Sequence, residues 1–114
     1  MAGQKGGPVR ELEALINVTR QCVDQLEDAL ESYGTVLDLL RAGSTVKDAL
    51  AEGHVTEMRR AITTALEHLD AARRASRVSL MRADLAEGSS VNSVAESWGI
   101  SRQLVSRYIH EPET

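Results

Sequence analysis

From Leu12 onward one row of positions, Leu12, Ile16, Thr19, Val23, Leu26, Leu30, Tyr33, Leu37 and Leu40, recurs at alternating spacings of four and three. That alternation is a heptad seam, and it predicts one long helix from about Val9 to Arg41. A second row, Leu15, Cys22, Ala29 and Val36, repeats every seven residues beside it, so the apolar face is wider than a two-stranded coiled coil requires. A helix of this kind wants more than one neighbour. A hairpin partner within the chain covers part of the face, and a second copy of the chain is expected to cover the rest.

The next elements follow from turn and cap chemistry. Gly43 ends the first helix, and Thr45 caps a short one, Val46 to Glu52, with Asp48 in capping-box spacing. Gly53 reads as a break. A third helix, about Val55 to Glu87, shows Val55, Met58, Ile62, Ala65, Leu69 and Ala72 again at three-four spacing. Continuing that row reaches Ser76, which is polar, while the apolar positions shift to Val78, Met81 and Leu85. The slip predicts that the helix leaves the hairpin and joins another core there, with a hinge or break within Ala72 to Val78 left open.

Gly88, Ser89 and Ser90 then break and recap the chain. A short helix from Val91 to Ser97, a turn at Trp98-Gly99-Ile100, and a Ser101-capped helix from Arg102 to about His110 complete the pattern. Two helices joined by a tight glycine turn outline a helix-turn-helix. Val94, Trp98, Ile100, Val105 and Tyr108 fall at positions expected to be buried, Ala95 is small where the second helix crosses, and Gly99 is expected to be left-handed. Ser101, Arg102, Gln103, Ser106, Arg107 and His110 remain on the outer face. With Ser90, Asn92 and Arg77 they form the candidate set for donating to phosphates and base edges.

The run LAEGSSVNSVAESWGISRQLVSRYI resembles the C-terminal DNA-binding helix-turn-helix of serine resolvases and invertases and of homeodomain-like bacterial regulators. The resemblance covers about Ser79 to Ile109 and rests on Gly88, Ala95, Gly99, Ser101, Arg102, Val105, Arg107 and Tyr108. It implies that Arg102 to His110 is a recognition helix. The resolvase catalytic domain with its nucleophilic serine is absent, a helical region stands in its place, and the N-terminal part carries no comparable resemblance.

Charge sharpens this division. The chain of 114 residues has a net charge of −4. Residues 1–70 hold 7 Lys/Arg against 12 Asp/Glu, whereas residues 71–110 hold 6 Arg against 3 acids, Asp84, Glu87 and Glu96. An acidic segment for protein contact and a mildly basic one for phosphate contact are expected. With no Phe, one Trp and two Tyr, the core must be aliphatic, which favours packed helices. Arg73, Arg74 and Arg77 read as a solvated helix face with ion pairs or, just before the DNA-binding unit, as phosphate contacts, and Glu11, Glu13, Asp24, Glu27, Asp28 and Glu31 as an exposed acidic face. The lone Cys22 forms no disulfide within the chain and has no neighbouring base to activate it. His54, His68 and His110 share no metal-ligand spacing, and neither a phosphate loop nor a catalytic triad is present. No metal, cofactor or enzymatic activity is therefore expected; a small-molecule pocket between the helices stays open, though no residue marks one. No apolar run approaches the length of a membrane span, and the start lacks a signal-peptide pattern, so a cytoplasmic, nucleoid-associated protein is expected.

The sequence thus predicts an all-α chain: a tail at residues 1–8, a helical-hairpin, coiled-coil dimerisation region at 9–74, a three-helix helix-turn-helix DNA-binding domain at 75–110, and a tail at 111–114. The dimerisation residues are Leu12, Ile16, Val23, Leu26, Leu30, Tyr33, Leu37, Leu40, Ile62 and Leu69. The expected function is sequence-specific binding of double-stranded DNA by a homodimer, with a higher oligomer compatible with the same face, as a bacterial or phage transcriptional regulator, a repressor in preference to an activator. Two alternatives stay open: a nucleoid-architectural or partition protein, and a helical adaptor or antitoxin-like protein.

Overall fold

The computed structural model describes residues 2–110, with side chains from residue 7 onward. Five helices, and no strand, occur among these residues: α1 (Ala2–Arg41), α2 (Val46–Glu52), α3 (Val55–Ala86), α4 (Val91–Trp98) and α5 (Arg102–Ile109). The chain is all-α, as its patterning predicts. α1 starts at Ala2 and not near Val9, so residues 2–8, expected to form a tail, continue the helix, with Pro8 inside it contributing no N–H to the ladder. The expected tail at 111–114 lies outside the described residues. No helix among the described residues is long and apolar enough to cross a membrane.

The described residues divide into two compact units, one of residues 17–70 and one of residues 2–16 with 71–110. The division at 70/71 falls just before the slip in apolar phase. It differs from the expected regions in assigning the first turns of α1 to the C-terminal unit, where a Cβ on Gly7 would stand 3.4 Å from Ser79 Oγ of α3. α3 runs without a break through Ala72–Val78. Ser76, the polar residue in the seam, is buried, with its hydroxyl donating to the Arg73 carbonyl one turn back (3.2 Å). That local bond satisfies the hydroxyl, so the helix needs no hinge to keep Ser76 out of solvent.

In the unit of residues 17–70, α1 turns its second apolar row inward: Cys22 and Ala29 are buried and Val36 is half-buried. Ala49 of α2 is fully buried. Ser44 N–H donates to Leu39 O (2.9 Å) and Gly43 N–H to Leu40 O (3.1 Å), which closes the end of α1. Thr45 Oγ1 accepts from Asp48 N–H (3.2 Å) and starts α2. Gly53 is not the conformational break that the sequence suggests. Its φ is −79°, and it is buried where a Cβ would approach Val36 Cγ2 to 2.6 Å, while its carbonyl accepts from Ser32 Oγ. The left-handed residue between α2 and α3 is His54, at φ 53°.

The heptad seam is left uncovered. Leu12, Ile16, Val23, Leu26, Leu30, Tyr33, Leu37 and Leu40 are between 37% and 71% exposed, with Leu30 the most exposed. On α3, Ile62 and Leu69 are half-buried and Leu66 is exposed.

Candidate nucleic-acid interface

The second unit carries the residues singled out for DNA. The end of α3, α4 and α5 enclose a small core of Met81, Val94, Ala95 and Val105, against which Leu85, Val91, Ile100, Tyr108 and Ile109 pack. Ser90 Oγ accepts from Ser93 N–H (3.1 Å) and starts α4. At its other end Ile100 N–H donates to Ala95 O (3.0 Å) and Gly99 N–H to Glu96 O (3.2 Å), with Gly99 at φ 66°. These paired bonds form a Schellman closure, which needs a left-handed residue at the position after the helix and is met at lowest cost by glycine. Ser101 Oγ then accepts from Leu104 N–H (3.1 Å) and starts α5 two residues later. The sequence of caps therefore sets the angle at which α5 leaves α4.

α5 is sharply two-sided. Val105 is buried and Leu104, Tyr108 and Ile109 are half-buried, while Arg102, Gln103, Ser106, Arg107 and His110 are exposed. His110 Nδ1 lies 2.7 Å from Ser106 O; a carbonyl only accepts, so Nδ1 is the donor in this contact. Ser90 and Asn92 are exposed at the start of α4, as is Ser101 at the start of α5. The two serines spend an acceptor site on their caps and keep the hydroxyl proton to donate. Of the acids nearby, Asp84 accepts from Ser89 Oγ (2.6 Å), whereas Glu87 and Glu96 are exposed.

One expectation, the burial of Trp98, needs correction. Trp98, expected in the core, is 39% exposed. It is the last residue of α4, and Val94, Ala95 and Val105 already fill the space between the helices. Arg77, a candidate for phosphate contact, is half-buried, with its guanidinium carbon 3.7 Å from the centre of the Tyr108 ring. One residue beyond buried Ser76 and four before buried Met81, it is turned toward α5, and its Nε is buried without a hydrogen-bond partner. Stacking on the aromatic face partly offsets that loss.

A residue that pattern reasoning missed, Arg82, holds the far end of α5: its Nε and Nη2 donate to the Ile109 carbonyl (3.2 and 2.6 Å). A cation at a helix C-terminus satisfies an orphan carbonyl and complements the dipole. The partners lie 27 residues apart, so no local signal announces the contact. Among the described residues no group of three or more His, Cys, Asp or Glu is placed to hold a metal ion.

No protein-family model matches the chain, and neither the curated proteins nor the solved structures include a significant match to it.

Proposed function

We propose that the chain is a homodimeric, sequence-specific DNA-binding protein acting as a transcriptional regulator, with α4 and α5 as a helix-turn-helix and α5 as its recognition helix. The observation that carries this reading is the two-sidedness of α5. One face is anchored through Val105, Tyr108 and Ile109 against α3 and α4, and the other presents Arg102, Gln103, Ser106, Arg107 and His110 in contiguous turns, without an acidic side chain on the same helix. Arginine and glutamine there suit bidentate contacts to guanine and adenine, while the capping serines suit phosphate. A helix of 8 residues reaches only a few base pairs. Tight, specific binding by such a module calls for a second half-site, and the uncovered seam of α1 is the surface that supports a second copy. A repressor is the favoured form of regulator.

Gel-shift of genomic fragments at two salt concentrations tests the proposal. A few tight sites that persist at the higher salt support a regulator. Binding that is uniform across fragments and collapses with salt turns the reading to an architectural or partition protein. Absence of binding at both concentrations overturns it in favour of a protein adaptor built on the apolar face of α1.

A further inference from the structure

Within residues 17–70 the face of the hairpin away from the seam holds a groove of about 500 Å3 between α1 and α3. Val18, Gln21, Cys22 and Gln25 line it from α1, and Arg60, Ala61, Thr64, Ala65 and His68 from α3. At 100° per residue Gln21 and Gln25 lie on the opposite flank of the buried Cys22–Ala29 row from Val23 and Leu30, so a partner seated on the seam leaves this groove open. The groove exists because the facing residues are small: Cys22, Ala61 and Ala65 leave the two helices unfilled on this side.

Its chemistry is one-sided. Arg60, Thr64 and His68 stand at i, i+4 and i+8, a single column along α3, and Gln21 and Gln25 stand at i and i+4 on α1 opposite. No Asp or Glu lines the groove, although this part of the chain is acidic. Among the described residues none of these five polar side chains has an ion-pair or hydrogen-bond partner, so the Arg60 guanidinium is not neutralised by the protein. Beneath them Val18, Ala61, Ala65 and the buried Cys22 form an apolar floor. We infer that this groove binds a small organic monocarboxylate, its carboxylate on Arg60 with the amides of Gln21 and Gln25, and its apolar body on the Ala61–Ala65 floor.

The groove is open along one side and so suits a small, weakly held ligand, and the planar donor fork of arginine matches a carboxylate. A single formal positive charge suits a monoanion better than a phosphate dianion, which would also leave the apolar floor unused. The inference is independent of what α5 contacts.

The test is an amide chemical-shift titration of the full chain with benzoate, its neutral isostere benzamide, and inorganic phosphate, at constant pH and ionic strength. Benzoate is expected to give saturable shifts at Gln21, Gln25, Thr64 and Ala65, with a Kd on the order of 1 mM for so small a probe, and benzamide to bind roughly tenfold more weakly. Arg60→Gln, on an exposed position that preserves the helix, should weaken benzoate by a similar factor, whereas Arg59→Gln, on the same helix but outside the groove, should leave it unchanged. Absence of shifts at these amides, equal binding of benzoate and benzamide, or an Arg60→Gln variant that binds as the parent does would each overturn the inference. Phosphate producing the same shifts at equal affinity would overturn the monocarboxylate assignment.

Discussion

Gly53 and Trp98 show how a residue's role is decided by what surrounds it. Gly53 has a helical φ, and at such a position alanine ordinarily stabilises by about 0.5–1 kcal/mol. Here the added Cβ would meet Val36 Cγ2 at 2.6 Å and the Ser32 carbonyl at 3.2 Å. The steric term exceeds the entropic one, and Gly53→Ala is expected to destabilise by about 1–3 kcal/mol in chemical denaturation. A stabilised variant would show that α1 gives way at Val36 without cost. Trp98 is the only tryptophan, so its surroundings can be read directly by fluorescence. At 39% exposure it should be quenched by acrylamide in the native state, and Trp98→Ala should cost about 2 kcal/mol, below the roughly 3–5 kcal/mol of full burial. A blue-shifted, unquenched emission would place the indole in the core after all.

At the scale of the element, α5 is held from both ends by contacts that leave its outer face free. Ser101 fixes the start, and Arg77 and Arg82 of α3 hold the end, one on the Tyr108 ring and one on the Ile109 carbonyl. This separates residues that position the helix from residues proposed to touch DNA. Arg82→Ala should fray the last turn and cost about 1 kcal/mol of stability, an exposed hydrogen bond's worth, while leaving the salt dependence of DNA binding unchanged. Arg107→Ala should leave the fold intact, and if Arg107 meets a phosphate it should weaken all sequences alike and flatten the salt slope by about one unit. Arg102→Ala or Gln103→Ala, for whichever meets a base edge, should cost roughly 1–3 kcal/mol of binding and relax preference at one base pair. Melting temperature and binding at several salt concentrations separate these outcomes. If Arg102→Ala, Gln103→Ala and Arg107→Ala all bind DNA as the parent does, α5 is not a recognition helix.

For the whole molecule the proposed dimer rests on the exposed seam of α1. Leu30 is 71% exposed in the single chain, so an aspartate there is solvated as long as the chain is alone. Across a dimer interface the same carboxylate would be buried without a partner, at a cost of several kcal/mol. Leu30→Asp is therefore expected to give a folded monomer, with helix content and melting behaviour close to those of the parent but half its sedimenting mass. A variant that sediments as an unchanged dimer would show that the seam is not the interface. A parent that is itself monomeric at micromolar concentration would remove the need for one.

The local sequence determined the number, type and order of the helices, because each signal is spelled out within a few residues. Thr45, Ser90 and Ser101 cap at the positions their spacing implies, and Gly43, Gly88 and Gly99 each adopt the positive φ that ends a helix. The outward set on α5 was legible for the same reason: period 3.6 separates Arg102, Gln103, Ser106 and Arg107 from Val105 and Tyr108. Tertiary structure decided what periodicity leaves ambiguous. Of two adjacent apolar rows on α1, only packing selects Cys22, Ala29 and Val36 for the chain's own core and leaves Leu26, Leu30 and Leu37 outside, since small residues let α3 approach closely and leucines do not. It also turned Arg77 inward, left Trp98 partly outside a core already full, and set Arg82 on a carbonyl 27 residues away. Each of these depends on which surfaces meet across the fold, and a spacing along one helix holds no record of what lies opposite it.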